Sequence, residues 1–172
     1  MKVLIRKENS SDFEAIKLVN DLAFGQEAES KLIDALRKNK EFKQAISLVA
    51  CLDNEVLGHI LFFPLEIEEN YKRYATIGLA PMSVLPEFQG LGIGSQLVQD
   101  GLKKCRKAGF TSCVVLGHAN FYPKFGFKPS TEFGIRPAFG ADKNYYMAIE
   151  LKPGTLQFKN ANVLYPGAFD EE

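Results

Sequence analysis

The chain has 172 residues, 46% of them apolar and 24% charged, an ordinary balance for one domain around one core. Lys+Arg and Asp+Glu both number 21, so the formal net charge is zero and bulk charge gives a nucleic acid nothing to bind. Unbroken apolar runs are too short to span a bilayer, and the opening MKVLIRKENSS reads as a strand rather than a signal-peptide core; the expectation is a cytoplasmic protein with no membrane or nucleic-acid partner.

Residues 2–6 alternate and predict a first strand. SSDFEAIKLVNDLAF predicts a helix, with Ser11 and Glu14 at capping-box spacing and Phe13, Ile16, Val19 and Ala23 on one face. QEAESKLIDALRKN predicts a second, with Ala28, Leu32 and Leu36 (Ile33 beside them) as its stripe. Residues 45–52 and 56–67 predict a hairpin across Asp53-Asn54, with Pro64 marking a bulge or bend. Residues 74–85 predict a strand ended by Pro86. After QGLGIGS a helix runs to Ala108, with Gly94, Leu97, Val98, Gly101, Leu102 and Cys105 inward. Lys103, Lys104, Arg106 and Lys107 crowd its end, where the helix dipole favours cations, and Gly109 stops it. Residues 111–116 predict a short buried strand, NFYPKFGF a short helix or turn, and 145–151 a further strand. The tail, 152–172, reads as an extension in which NANVLYPGAF offers an edge strand. The order β-α-α-β-β-β-α-β-α-β predicts one α/β (α+β) domain over 1–172, a mixed sheet covered by helices.

Cys51, Cys105 and Cys113 are odd in number and contain no C-x-x-C, which argues against disulfides or a zinc ribbon. His59 and His118 form no helix-spaced pair, and no metal site is expected.

The glycines of QGLGIGS carry the chemistry. A P-loop needs G-x-x-x-x-G-K-[ST], and no Lys-Ser or Lys-Thr follows them. A dinucleotide fingerprint needs G-x-G-x-x-G; its last glycine falls on Ser95 from Gly90 and on Leu97 from Gly92. What remains is Q-x-x-G-x-G at Gln89, Gly92 and Gly94, after a strand and at a helix start. Unpaired N–H groups there carry partial positive charge, and glycines clear the Cβ atoms that would hold a diphosphate away. Glycines serving only close helix–strand packing are the structural alternative.

SVLPEFQGLGIGSQLV resembles the coenzyme A loop of the GCN5-related N-acetyltransferases (GNAT), whose pattern is a strand, [QR]-x-x-G-x-[GA], then a helix. Pro86 before Gln89 and NFYPKFGF downstream fit, and the VLGHILFFPLEIE arm and KPGTL…VLYPGAF tail look like a bacterial subgroup of predicted N-acetyltransferases. The resemblance implies a mixed sheet of six to seven strands flanked by about four helices. It also implies acetyl transfer from acetyl-CoA, used as co-substrate without a metal, to a small-molecule or peptide amine acceptor. Backbone amides of Gln89, Gly90, Leu91, Gly92, Ile93, Gly94 and Ser95 would hold the pyrophosphate. Main-chain groups of Met82 and Val84 would meet the pantetheine arm, with the Val84 N–H polarising the thioester carbonyl. Tyr122 occupies the family's tyrosine position and is the nominated acid for the leaving thiolate. The base stays open among His118, Glu66, His59 and a water chain, because the strand TIGLAPMSV has no carboxylate. The asparagine that many members carry seven residues before the tyrosine is Val115 here, with Asn120 nearby but not equivalent. A catalytically silent acyl-CoA-binding module and a longer acyl donor are the rival readings. An exposed tail strand offers a homodimer contact.

Overall fold

A computed structural model describes residues 2–171. Its elements are β1 (Leu4–Lys7), α1 (Phe13–Phe24), α2 (Ala28–Arg37), β2 (Ile46–Leu52), β3 (Glu55–Glu69), β4 (Lys72–Val84), α3 (Ile93–Lys107), β5 (Ser112–Leu116), β6 (Lys128–Pro129), β7 (Tyr146–Glu150) and β8 (Asn162–Leu164). They form one mixed sheet in the order β1-β2-β3-β4-β5-β7-β6, with β8 against β3 beyond the end of β2. All pairs are antiparallel except β4 with β5. The described strands number eight, above the six to seven expected, because β6 and β8 are stubs of two and three residues. Three α-helices flank the sheet among the described residues. The fourth expected helix, in NFYPKFGF, is a 3-10 turn at Tyr122–Phe125.

Alternation along β3 sorts the helices between the two faces. Gly58 faces α3, where an added Cβ would meet Leu97 and Ile93. The next residue, His59, faces α1, where its ring meets Asn20. The stripe expected on α3 is buried at Leu97, Val98, Gly101, Leu102 and Cys105, and all three thiols are buried.

Two local expectations need correction. The capping box is Asn9 with Asp12 rather than Ser11 with Glu14. The Asn9 side chain accepts from the Ser11 N–H, and the Asp12 carboxylate accepts from the Asn9 N–H, opening a 3-10 turn that leads into α1. Pro64 makes no bulge and pairs in register with Ile77. It lies past β2's last partner at Phe62 and before β8's first at Glu66, so its missing N–H leaves no ladder bond open. The irregularity is on β4 instead. Ile60 faces Met82 and Phe62 faces Leu79, so two steps on β3 oppose three on β4 and one residue is extra around Ala80 and Pro81.

Candidate active site

That bulge lies where β4 and β5 part. The two pair only at Ile77–Cys113, Gly78–Val114 and Leu79–Val115, and beyond Leu79 the facing edge of β4 is open. The Leu85 N–H bonds to the Leu57 carbonyl at 2.8 Å, so Gly58–Val84 is a non-hydrogen-bonded pair of the antiparallel ladder. The N–H and C=O of Val84 therefore point away from β3, to the open side, and by the same alternation so do those of Met82. A cleft of about 970 Å³ fills the split, with Met82, Val84, Gln89, His118 and Tyr122 all in its walls.

The glycine loop leaves the end of β4 and reaches α3 on the cleft's rim. Gln89 is tied back to the strand, its Nε2 donating to the Val84 carbonyl at 2.9 Å. Gly90 and Gly92 have φ of +79° and +88°, and a Cβ on either would meet nothing within 4 Å. These glycines therefore serve backbone shape and an open approach, not tight packing. Gly92 is the N-cap of α3, with no side-chain cap bond and no acidic residue in the first turn. The first intrahelical bond found there runs from the Gln96 N–H to the Gly92 carbonyl at 3.1 Å. The N–H groups of Ile93, Gly94 and Ser95, which precede it, thus have no partner within the helix. Ile93 itself is buried, so only its main chain faces the loop, whereas Leu91 is exposed. Gly90–Ser95 lie outside the cleft wall proper. Gly94 is half-buried, with the Met82 thioether 3.4 Å from where a Cβ would be.

Tyr122 opens the 3-10 turn after β5 and is 6% exposed. Its ring lies so close over Gly117 that a Cβ there would come within 2.3 Å of it, and Phe121 and Phe127 meet it edge-on. Among the described residues its hydroxyl has no hydrogen-bond partner, and burial, with a smaller contribution from Cys113, pushes the phenol well above its usual range. It is protonated at neutral pH. His118 is exposed at the cleft and its carbonyl accepts from the Phe121 N–H at 3.1 Å, so main chain rather than imidazole shapes the turn. Val115 is buried between Leu79 and Met147, and Asn120 lines the cleft.

The other two base candidates are not brought here. His59 is fully buried behind β4, with Nδ1 3.3 Å from Asn20 Nδ2 and Nε2 3.0 Å from Ser47 Oγ. Burial, with Arg37 adding to it, lowers its pKa to about 3, so it stays neutral. Glu66 is exposed on the far half of β3, 3.5 Å from Arg73.

The cleft also holds groups the sequence reading passed over. Glu29, in the first turn of α2, is 8% exposed and accepts from Gln26 Nε2 at 3.1 Å on both carboxylate oxygens. It lies on one stripe with Leu32, Ile33 and Leu36, and a carboxylate among buried positions was the available signal. Phe139, Tyr165 and Phe169, from the segment after β6, complete the wall.

Comparison with known proteins bears on this arrangement. The model of the acetyltransferase (GNAT) family matches residues 12–127, which take in β2 to β5, the glycine loop and Tyr122. The chain belongs to the GNAT acetyltransferase family. It is 30% identical over 169 residues to the uncharacterized N-acetyltransferase YhbS of Escherichia coli (strain K12), covering 98% of this chain and 99% of that one. It is 36% identical over 121 residues to the uncharacterized N-acetyltransferase YjhQ of the same strain, 70% of this chain and 67% of that one. The crystal structure of YhbS from Escherichia coli in complex with CoA superposes with a TM-score of 0.87 at 26% identity, covering 99% and 93% of the two chains. A GNAT family acetyltransferase from Brucella melitensis in complex with acetyl-CoA superposes with a TM-score of 0.78 at 36% identity, covering 98% and 99%. The split sheet is thus the GNAT fold, and the protein is a GNAT acyltransferase.

Proposed function

We propose that this GNAT protein transfers an acetyl group from acetyl-CoA to a primary amine by direct attack in a ternary complex. The observation that carries the proposal is the open edge of β4 running into an uncapped helix N-terminus. One offers main-chain N–H and C=O groups to an extended amide-bearing arm, the other a cluster of N–H groups to a diphosphate. The residues present fit the coenzyme: Gly90 and Gly92 leave their approach clear, and no acidic side chain stands in the first turn of α3. CoA and acetyl-CoA complexes of YhbS and of the Brucella melitensis protein support the same assignment.

In this reading the amides of Gln89 to Ser95 bind the pyrophosphate and the main chain of Met82 and Val84 aligns the pantetheine arm. The amine nitrogen attacks the thioester carbon, and the Val84 N–H steadies the oxyanion that forms. The C–S bond then breaks, and the Tyr122 phenol gives its proton to the departing sulfur. The apolar surroundings that keep the phenol protonated also raise the basicity of a thiolate beside it, which favours that transfer. His118, the imidazole in the cleft wall, takes one proton from the amine nitrogen, and the second nitrogen proton returns to the Tyr122 phenolate, which restores the phenol. A strand β4 without a carboxylate favours a silent coenzyme-binding module, and Glu29 answers it by bringing a carboxylate into the cleft from α2.

Isothermal titration with acetyl-CoA tests the loop. Gly92→Glu, which sets bulk and negative charge at the diphosphate position, is expected to weaken binding at least about 100-fold. Gly92→Ala carries the same left-handed backbone cost of about 1 kcal/mol without the charge and controls for misfolding. Equal affinity for the wild type and Gly92→Glu would remove the coenzyme from this loop.

A further inference from the structure

The walls of the cleft also describe the acceptor. Among the described residues lining it, Glu29 is the one carboxylate, and neither Lys nor Arg is present. An amino acid or any acceptor with its own carboxylate would bring that charge into a cleft with no cation to pair it, and would set it against Glu29. A protonated amine meets the opposite situation.

The rest of the acceptor end is aromatic and rigid. Tyr165 meets Phe139 at a tilt with a centroid distance of 4.7 Å and Phe169 edge-on at 5.0 Å. Its hydroxyl is 2.7 Å from that of the fully buried Tyr146, which fixes the middle ring. Phe139 has φ of +58°, a backbone conformation a bulky residue rarely adopts, and its side chain is nonetheless 52% exposed. The strained turn thus holds an apolar ring against Tyr165 at the cleft and out of the core. Phe24, at the end of α1, is another exposed ring of the cleft. The turn that carries Phe169 packs on α2, the helix of Glu29, so charge and rings belong to one side of the cleft.

We propose that the acceptor is a small monoamine: one primary ammonium on an apolar or aromatic body, with no carboxylate. Glu29 draws the ammonium and Phe24, Phe139 and Tyr165 hold the body. A cleft of about 970 Å³ that also takes the reactive end of the coenzyme leaves room for an acceptor of this size. The proposal rests on the acetyl-transfer reading above.

The test is coenzyme release from acetyl-CoA with 2-phenylethylamine, L-phenylalanine and spermidine. The first two share a body and differ by a carboxylate; the third replaces the apolar body with further cations. Expected is a kcat/KM for 2-phenylethylamine about 100-fold above that for L-phenylalanine and above that for spermidine. Glu29→Gln and Phe139→Ala should each raise its KM about tenfold, with the Kd of acetyl-CoA unchanged. Preference for L-phenylalanine or spermidine, or an unchanged KM in Glu29→Gln, overturns the proposal. So does turnover of none of the three by a protein that binds acetyl-CoA normally, an outcome that leaves the coenzyme reading standing. Failure to bind acetyl-CoA at all would sink both.

Discussion

Tyr122, the proposed acid, shows how one side chain can be prepared for one proton. Its ring is held by Gly117, Phe121 and Phe127, while its hydroxyl is left without a protein partner. Such a group is positioned without being occupied. Tyr122→Phe keeps the ring packing and removes only the hydroxyl that carries the proton, so kcat is expected to fall about 100-fold while acetyl-CoA affinity changes little. Single-turnover rates and titration would separate the two, and an unchanged kcat would take Tyr122 out of the mechanism. That Tyr122 and His118 would lie near the end of β4 was legible in the sequence, Tyr122 from NFYPKFGF and His118 from its place at a strand end just before it, and both line the cleft. Glu29 was not: Glu27, two residues earlier, is exposed, and only the placement of Glu29 on a buried stripe distinguishes them.

At the scale of the element, α3 has two glycines with different jobs. Gly101 lets the helix touch the sheet: an added Cβ would come within 2.2 Å of the ring of Phe62, which is fully buried. Gly94 leaves ordinary contact room, 3.4 Å from Met82. Alanine in a helix interior gains about 1 kcal/mol over glycine. Overpacking against a fixed ring costs about 1–3 kcal/mol. Gly101→Ala should therefore lower stability by up to about 2 kcal/mol, and Gly94→Ala should not lower it; urea unfolding midpoints of the two variants check both. Most elements were legible because their apolar periods are clean, as on α3 and β7. The bulge on β4 was not. It arises from pairing with β3 across a turn, and the sequence offered Pro64 as the more visible breaker. The tail was legible only as a strand, since the wall of Phe139, Tyr165 and Phe169 is assembled by tertiary packing from an irregular stretch.

At the scale of the molecule, a buried polar chain stands behind the cleft. Asn20, His59 and Ser47 are linked, and Ser47 Oγ bonds to Glu8, whose carboxylate also takes Arg37 at 2.8 Å. Glu8 lies 3.9 Å from the imidazole, but burial outweighs it and the pKa of His59 drops to about 3. The unfolded chain binds this proton below about 6.5 and the folded chain does not until about 3, so stability falls as pH falls through that window. Urea melts should lose about 1.4 kcal/mol per pH unit from this group, or about 2 kcal/mol between pH 6.5 and 5. A flat profile there would mean that the folded protein accepts the proton freely. β4 lies between this chain and the coenzyme loop. Met82 turns its side chain toward α3, and Ser83, the partner of His59 across the ladder, turns toward α1. In the proposed reading one strand partitions the reaction: donor recognition is written in backbone on one side, acceptor recognition in side chains on the other. Phe139, Tyr165 and Phe169 lie beyond the residues 12–127 that the family model covers. On the proposed reading, changing the acceptor would mean rewriting a wall built largely outside the matched residues, while the coenzyme loop within them stays as it is.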